Sequence, residues 1–91
     1  PAEMKELIEE KKESEFQIAY QKGKELFLAK GYGRQMSGGY SIQVTELSES
    51  SNAVFFVTKL IGATEEVQGG EPSYPYIVIK TEYRDVPVQF Q

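Results

Sequence analysis

The side chains in this sequence that could make or break bonds are carboxylates, hydroxyls and lysines, because its 91 residues include no histidine and no cysteine. That removes the thiolate nucleophile, the imidazole base, the disulfide and the usual zinc centre together. What remains lacks the spacing that catalysis needs. Glu9/Glu10 and Glu65/Glu66 are adjacent pairs, and neighbours on a helix or strand point in different directions, so neither makes an acid–base dyad. Ser37, Ser41 and Ser73 have no histidine to activate them, and no serine stands three residues before a lysine, the arrangement in which lysine replaces it. These residues describe a chain that is not an enzyme and that needs no cofactor or metal.

Charge narrows the partners. A net charge of −4 and a pI near 4.8 argue against nucleic acid, whose affinity rests on phosphates neutralised by lysine and arginine. The same −4 is too mild for a disordered acidic tail, and 40% hydrophobic residues supply a core. At 91 residues that core belongs to one domain. No apolar stretch reaches the roughly 18 residues of a membrane span, and no signal-peptide pattern is present. The sequence opens at Pro1 rather than Met, which is compatible with an upstream export signal or lipid anchor having been removed. The absence of cysteine fits a reducing or an oxidising compartment equally.

The elements that must position any site divide at about residue 15. Residues 1–15 hold six Glu and three Lys, with Met4, Leu7, Ile8 and Lys11 at helical spacing, Pro1 suited to a first turn, and Glu3 and Glu6 near the positive helix end. This predicts a helix over about 2–13, inside a segment 1–14 that packs on or extends from a domain over 15–91. Its apolar stripe is thin, so it requires a surface to dock on. From Glu15 the period becomes two: Phe16, Ile18 and Tyr20 alternate with polar residues, Lys22-Gly23 supplies a turn, and Glu25 to Lys30 returns as a second strand. Tyr40, Ile42 and Val44 followed by Ala53 to Ile61 read as another hairpin. After a loop from Gly62 to Ser73, Tyr76 to Lys80 makes a fifth strand and Val86 to Phe90 a sixth.

Short turns favour antiparallel pairing, and no helix lies between strands to carry a parallel crossover. Leu26-Phe27-Leu28 and Val54-Phe55-Phe56-Val57 are apolar on both faces, so a flat sheet would leave one of them wet. The expectation is mainly β: a small antiparallel sandwich or partly open barrel of about six strands, with the short N-terminal helix at one end.

Two corners of that scaffold stand out. Gly31-Tyr32-Gly33-Arg34-Gln35-Met36-Ser37-Gly38-Gly39-Tyr40 places four glycines between apolar runs, allowing tight backbone angles and close chain approach. It reads either as a bulge and turn with Tyr32 and Tyr40 capping the core, or as a recognition loop facing a partner with Arg34, Met36 and Tyr40. It does not read as a phosphate cradle, since it leads into a strand and lacks a Gly-Lys-Ser/Thr ending. Glu71-Pro72-Ser73-Tyr74-Pro75-Tyr76 is the second, with prolines that force its strand to be entered along an edge or from a bend. Tyr74-Pro75 is a candidate cis bond. The corner reads either as a rigid strand entrance or as an aromatic patch for a ligand.

Together, Gly33 to Ile42 and Ser73 to Lys80 resemble the two signatures of the protease-complexing PrcB C-terminal domain family: a Gly-x-x-x-Thr/Ser-Gly-Gly-Tyr block and a Tyr-Pro-Tyr block leading into a β-branched strand. The resemblance covers residues 24–81, with Gly38, Gly39, Tyr40, Tyr74, Pro75 and Tyr76 matching closely and Met36 standing where proline is common. The N-terminal helix and the tail past Thr81 resemble extensions of clostridial-type members. What the resemblance implies is a bacterial, non-catalytic accessory protein of the cell envelope or extracellular space, because the founding member is a lipoprotein associated with a surface subtilisin-like protease. Contact with a protease or other envelope protein would then fall to Arg34, Met36, Gly38, Gly39, Tyr40, Tyr74, Pro75 and Tyr76. A protease inhibitor acting through the Gly-Gly-Tyr loop, and a structural domain that self-associates as a homodimer, are the alternatives.

Overall fold

A computed structural model describes residues 2–36, 38–62 and 71–91. One helix, α1 (Ala2–Lys11), precedes six strands: β1 (Glu15–Lys22), β2 (Glu25–Tyr32), β3 (Ser41–Glu49), β4 (Val54–Ile61), β5 (Tyr76–Glu82) and β6 (Val88–Phe90). They form two three-stranded sheets, ordered β1-β2-β5 and β3-β4-β6, and the described strands close no barrel. The protein is mainly β, as its alternating pattern predicts.

Local chemistry sets the hairpins. β1 and β2 pair antiparallel out to Lys22 and Glu25, which leaves a two-residue turn whose first position, Gly23, has a φ of 62°, the conformation that tight hairpins reserve for glycine. Between β3 and β4, Ser50 accepts hydrogen bonds at its Oγ from the N–H groups of Asn52 and Ala53, both at 3.1 Å. A bulge at Val44/Glu46 interrupts the β3–β4 ladder.

The middle strand of the first sheet explains its unbroken apolar run, because each of its faces meets a different layer. On one face Ala29 joins Phe16 and Ile18 of β1 with Met4 and Ile8 of α1, and Leu7, Tyr20 and Phe27 pack around them. On the other, Leu26 and Leu28 join Val54 and Phe56 of β4, with Ile77, Ile79, Val88 and Phe90 around them. Phe56 and Phe90 meet edge to face, their centroids 5.9 Å apart, a favoured aromatic geometry. The order of layers is therefore helix, sheet, sheet.

Three expectations need correction. The helix lies across a face of the first sheet rather than at one end of the sandwich, since Met4 and Ile8 fill the face that Phe16 and Ile18 would otherwise expose. The last strand begins at Val88 rather than Val86. It also runs parallel to β4, pairing Val54 with Val88 and Phe56 with Phe90. The parallel pairing needs no helical crossover, because residues 83–87 carry the chain from one sheet to the other and no hairpin dictates the direction of arrival. The loop at 63–70, with Glu65 and Glu66, lies outside the described residues.

Candidate functional site

The two corners that the sequence sets thirty residues apart are one surface. Beyond the paired ends of β2 and β5, Tyr32 N–H donates to the Pro75 carbonyl at 3.1 Å. Gln35 and Ser73 then exchange backbone hydrogen bonds of 2.8 and 3.0 Å, an isolated antiparallel bridge. The Tyr74-Pro75 peptide is trans, for no cis bond occurs among the described residues.

Glycine enables this closure in two ways. At Gly31 the ring of Phe16 occupies the space of a side chain, with ring carbons 2.1–2.6 Å from where a Cβ would stand. At Gly33, with a φ of 75°, a Cβ would also press on the Glu15 nitrogen at 3.0 Å, so both backbone angle and close approach require glycine there. Next to it, Arg34 N–H donates to the Glu13 carbonyl at 3.2 Å, tying the segment to the chain that leaves α1. From below, Tyr32 Oη hydrogen-bonds Thr58 Oγ1 of the second sheet at 2.6 Å.

Charged groups brace the corner. Lys30, with a side chain only 6% exposed, places its Nζ 2.6 Å from Glu15 Oε1 and 5.0 Å from the centroid of the Tyr32 ring. That hydrogen bond, followed by the attraction of the ammonium charge, holds the Glu15 carboxyl below its ordinary value. At the helix end Lys12 pairs with Glu9 at 3.0 Å, and this hydrogen bond raises the Lys12 ammonium above its ordinary value. The same ammonium sits 5.3 Å from the Tyr74 centroid, a cation–π distance.

Of the residues predicted to meet a partner, Arg34, Met36, Gly39 and Tyr76 are exposed, while Gly38, Tyr40, Tyr74 and Pro75 are half-buried. Met36 is 77% exposed and Tyr76 48%. No carboxylate among the described residues pairs with Arg34. Tyr40, Pro75 and Tyr76 come together along a shallow groove of about 220 Å³, completed by Ser41, Ile42 and Ile77. Tyr74 belongs instead to the Lys12 side. Ser37 lies outside the described residues.

Sequence reasoning missed Lys12, Gln35, Ile42 and Ile77 as members of this surface. Ile42 and Ile77 carried a signal, since each lies within two residues of a conspicuous tyrosine on a strand. Lys12 and Gln35 carried none, because their partners lie far away in sequence.

With both blocks in place, the chain can be set beside known proteins. Residues 26–82, more than half of its length, match the family described as PrcB C-terminal. The chain belongs to that family. The match spans both corners, the groove between them, and β2 to β5. The PrcB C-terminal family is one of accessory domains and points to association with a protease. No curated protein and no solved structure matches the chain.

Proposed function

We propose that this PrcB C-terminal domain is a non-catalytic docking module that binds a protease or another cell-envelope protein through the joined corner. One observation carries the reading: the Gln35–Ser73 bridge fastens two segments into one surface, yet the side chains around it are left outward. Met36, Arg34 and Tyr76 are exposed, and Tyr40 and Pro75 flank an open groove. Met36, at 77% exposure, adds an apolar side chain to this outward surface. The tyrosines contribute contact area with little ordering cost on binding.

The roles follow from the chemistry of each side chain. Arg34 offers a guanidinium to a carboxylate or carbonyl, and arginine and aromatic residues carry a large share of interface energy. Met36 adapts to an apolar pocket. Tyr40 and Tyr76 both line the groove. The glycines Gly38 and Gly39 keep the backbone low, so that a partner can approach it.

The test is co-purification from a native extract of the source cells, with bound proteases identified by mass spectrometry. Wild-type domain should retain a subtilisin-like or other envelope protease, and Arg34→Ala combined with Tyr76→Ala should release it without changing the melting curve. Retention of the same protease by that variant would move the contact elsewhere, and recovery of none by the wild type would overturn the reading.

A further inference from the structure

The outer edge of β5 begins at the corner, with which it shares Tyr76 and Ile77, and its backbone pattern can be read residue by residue. Tyr32 N–H bonds the Pro75 carbonyl and Tyr83 N–H bonds the Lys24 carbonyl, one at each end of the register that runs from Gly31↔Tyr76 to Glu25↔Glu82. In an antiparallel ladder hydrogen-bonded pairs alternate with non-bonded ones. Between those ends, therefore, Ile77, Ile79 and Thr81 direct their N–H and C=O groups at β2. Tyr76, Val78, Lys80 and Glu82 direct theirs away from the sheet. Among the described residues no strand pairs with that side of β5.

Such an edge is usually blunted by a proline, a bulge or charged side chains, lysine above all, and on β5 the single lysine is Lys80. Here neither proline nor bulge interrupts Tyr76 to Glu82, and the outward positions alternate apolar, apolar, basic, acidic. Val78 at 40% exposure and Tyr76 at 48% are among the largest apolar groups left in water. α1 does not cover them, since its buried residues pack on Phe16, Ile18 and Ala29 at the other side of the same face.

We infer that β5 pairs antiparallel with β5 of a second copy, about a two-fold axis through Val78, joining two three-stranded sheets into one of six strands. The choice of register follows from charge. An axis through Lys80 would set two ammonium groups directly opposite each other, and an axis through Ile79 would leave them as diagonal neighbours. An axis through Val78 separates the two Lys80 residues by four steps along the strands, about 13 Å at the usual strand rise. It then pairs Val78 with Val78 and each Tyr76 with the other copy's Lys80, a cation over a ring. On the opposite face it pairs each Ile77 with the other copy's Ile79. Cross-strand pairs of these kinds are the stabilising units of sheets. Lys80 is free to turn toward that ring, because its own link to Glu25 is long, at 3.6 Å, and exposed.

This inference rests on the edge and not on protease binding. A monomer that captures a protease and a dimer that captures none would separate the two readings. One strand pair is a small contact, below the area of a stable interface, so the dimer is of the weak, transient class. Sedimentation equilibrium of the full chain, from about 10 µM to about 1 mM, should show an apparent mass rising from 10.3 kDa toward twice that value, as mass action requires. Val78→Lys places two charges on the axis and should weaken dimerisation at least about tenfold, since like charges directly opposite destabilise a strand pair. Val78→Pro removes an outward N–H while sparing the bonds to β2, and should act likewise. Leu47→Lys, on the other sheet, should leave dimerisation unchanged. Amide exchange gives a reading free of variants: the N–H groups of Val78 and Lys80 should slow with rising protein concentration. A constant mass of 10.3 kDa up to about 1 mM, a folded Val78→Lys that dimerises like wild type, or exchange at Val78 independent of concentration would overturn the inference.

Discussion

The two halves of the glycine-rich segment use the same residue type for opposite ends. Gly31 to Gln35 is built into the scaffold: it lies against Phe16, beneath the backbone of Ser14 and Glu15, above Thr58, and bridges to Ser73. Met36 and Gly38, beyond it, lean on little. Met36 is in solvent, and a Cβ added at Gly38 would meet nothing within 4 Å. A glycine count alone cannot separate the two. What separates them is whether the missing side chain's space is taken by another atom or left open for a partner.

That contrast breaks first at Gly31. A methyl group there would overlap the Phe16 ring at 2.1 Å, and overpacked cores lose about 1–3 kcal/mol. Gly31→Ala should fall toward the upper end of that range in urea unfolding, because Phe16 is itself held by Met4, Ile8 and Ile18 and has nowhere to go. A loss below about 0.5 kcal/mol, the range of ordinary surface changes, would mean that the ring swings aside and that the close approach is incidental.

Gly33 comes next. An L side chain at its φ of 75° is strained, and left-handed backbone costs about 1–2 kcal/mol for ordinary residues. Gly33→Ala should show a loss of that size, with an added effect on the Arg34–Glu13 bond. Exchange of the Arg34 amide provides the check, and protection identical to wild type would remove Gly33 from the scaffold half.

A smaller effect is expected at the tie between the sheets. Tyr32→Phe deletes the hydroxyl that meets Thr58 at 2.6 Å, a partly buried bond of the kind that contributes about 0.5–1.5 kcal/mol. A double-mutant cycle with Thr58→Val should show coupling. Strict additivity would show that the hydroxyls find water equally well apart.

The Glu15–Lys30 pair sharpens the comparison through pH. Because the folded-state value of Glu15 lies below its ordinary 4.5, the stability it contributes is fully present above that pH and is lost as acid titrates through the lower, folded value. Acid unfolding of the wild type should therefore be steeper below about pH 4.5 than that of Glu15→Gln. Parallel acid limbs would show that the Glu15–Lys30 pair adds nothing to stability.

Much of this was legible because the relevant signals are short-range. The alternation of Phe16, Ile18 and Tyr20, the turn at Gly23 and the apolar run at Val54 report local geometry, and the strands lie where those patterns put them. The helix face was readable from Met4 and Ile8, but not the surface it covers, since any apolar face would serve a thin stripe. The parallel arrival of β6 was not legible, because direction after a crossing between sheets depends on where the chain happens to be released rather than on turn residues. At the candidate site, Arg34, Met36 and Tyr76 are exposed as a recognition surface requires, whereas Tyr40, read either as a core cap or as a contact, is half-buried. The Gln35–Ser73 bridge that joins the two corners left no trace, as backbone bonds do not select side chains.

The smallest effect on stability is expected where binding is predicted to be largest. Gly38→Ala adds a methyl group into open space at a residue without positive φ, and Met36→Ala removes a side chain that is 77% exposed. Each should leave unfolding within about 0.5 kcal/mol of wild type, as surface changes away from special features do. Both should nonetheless weaken capture of a protease partner. Met36→Ala removes an apolar contact, and truncating an interface anchor costs about 1–2 kcal/mol or more. Gly38→Ala raises the surface by one methyl between the partner and the chain. If both variants fold and bind as wild type does, the open half of the segment is only a connection, and the glycines of both halves serve the scaffold alone. If Gly38→Ala instead unfolds the domain, the space around it is filled in solution, and the division between a buried half and an offered half fails at its weakest point.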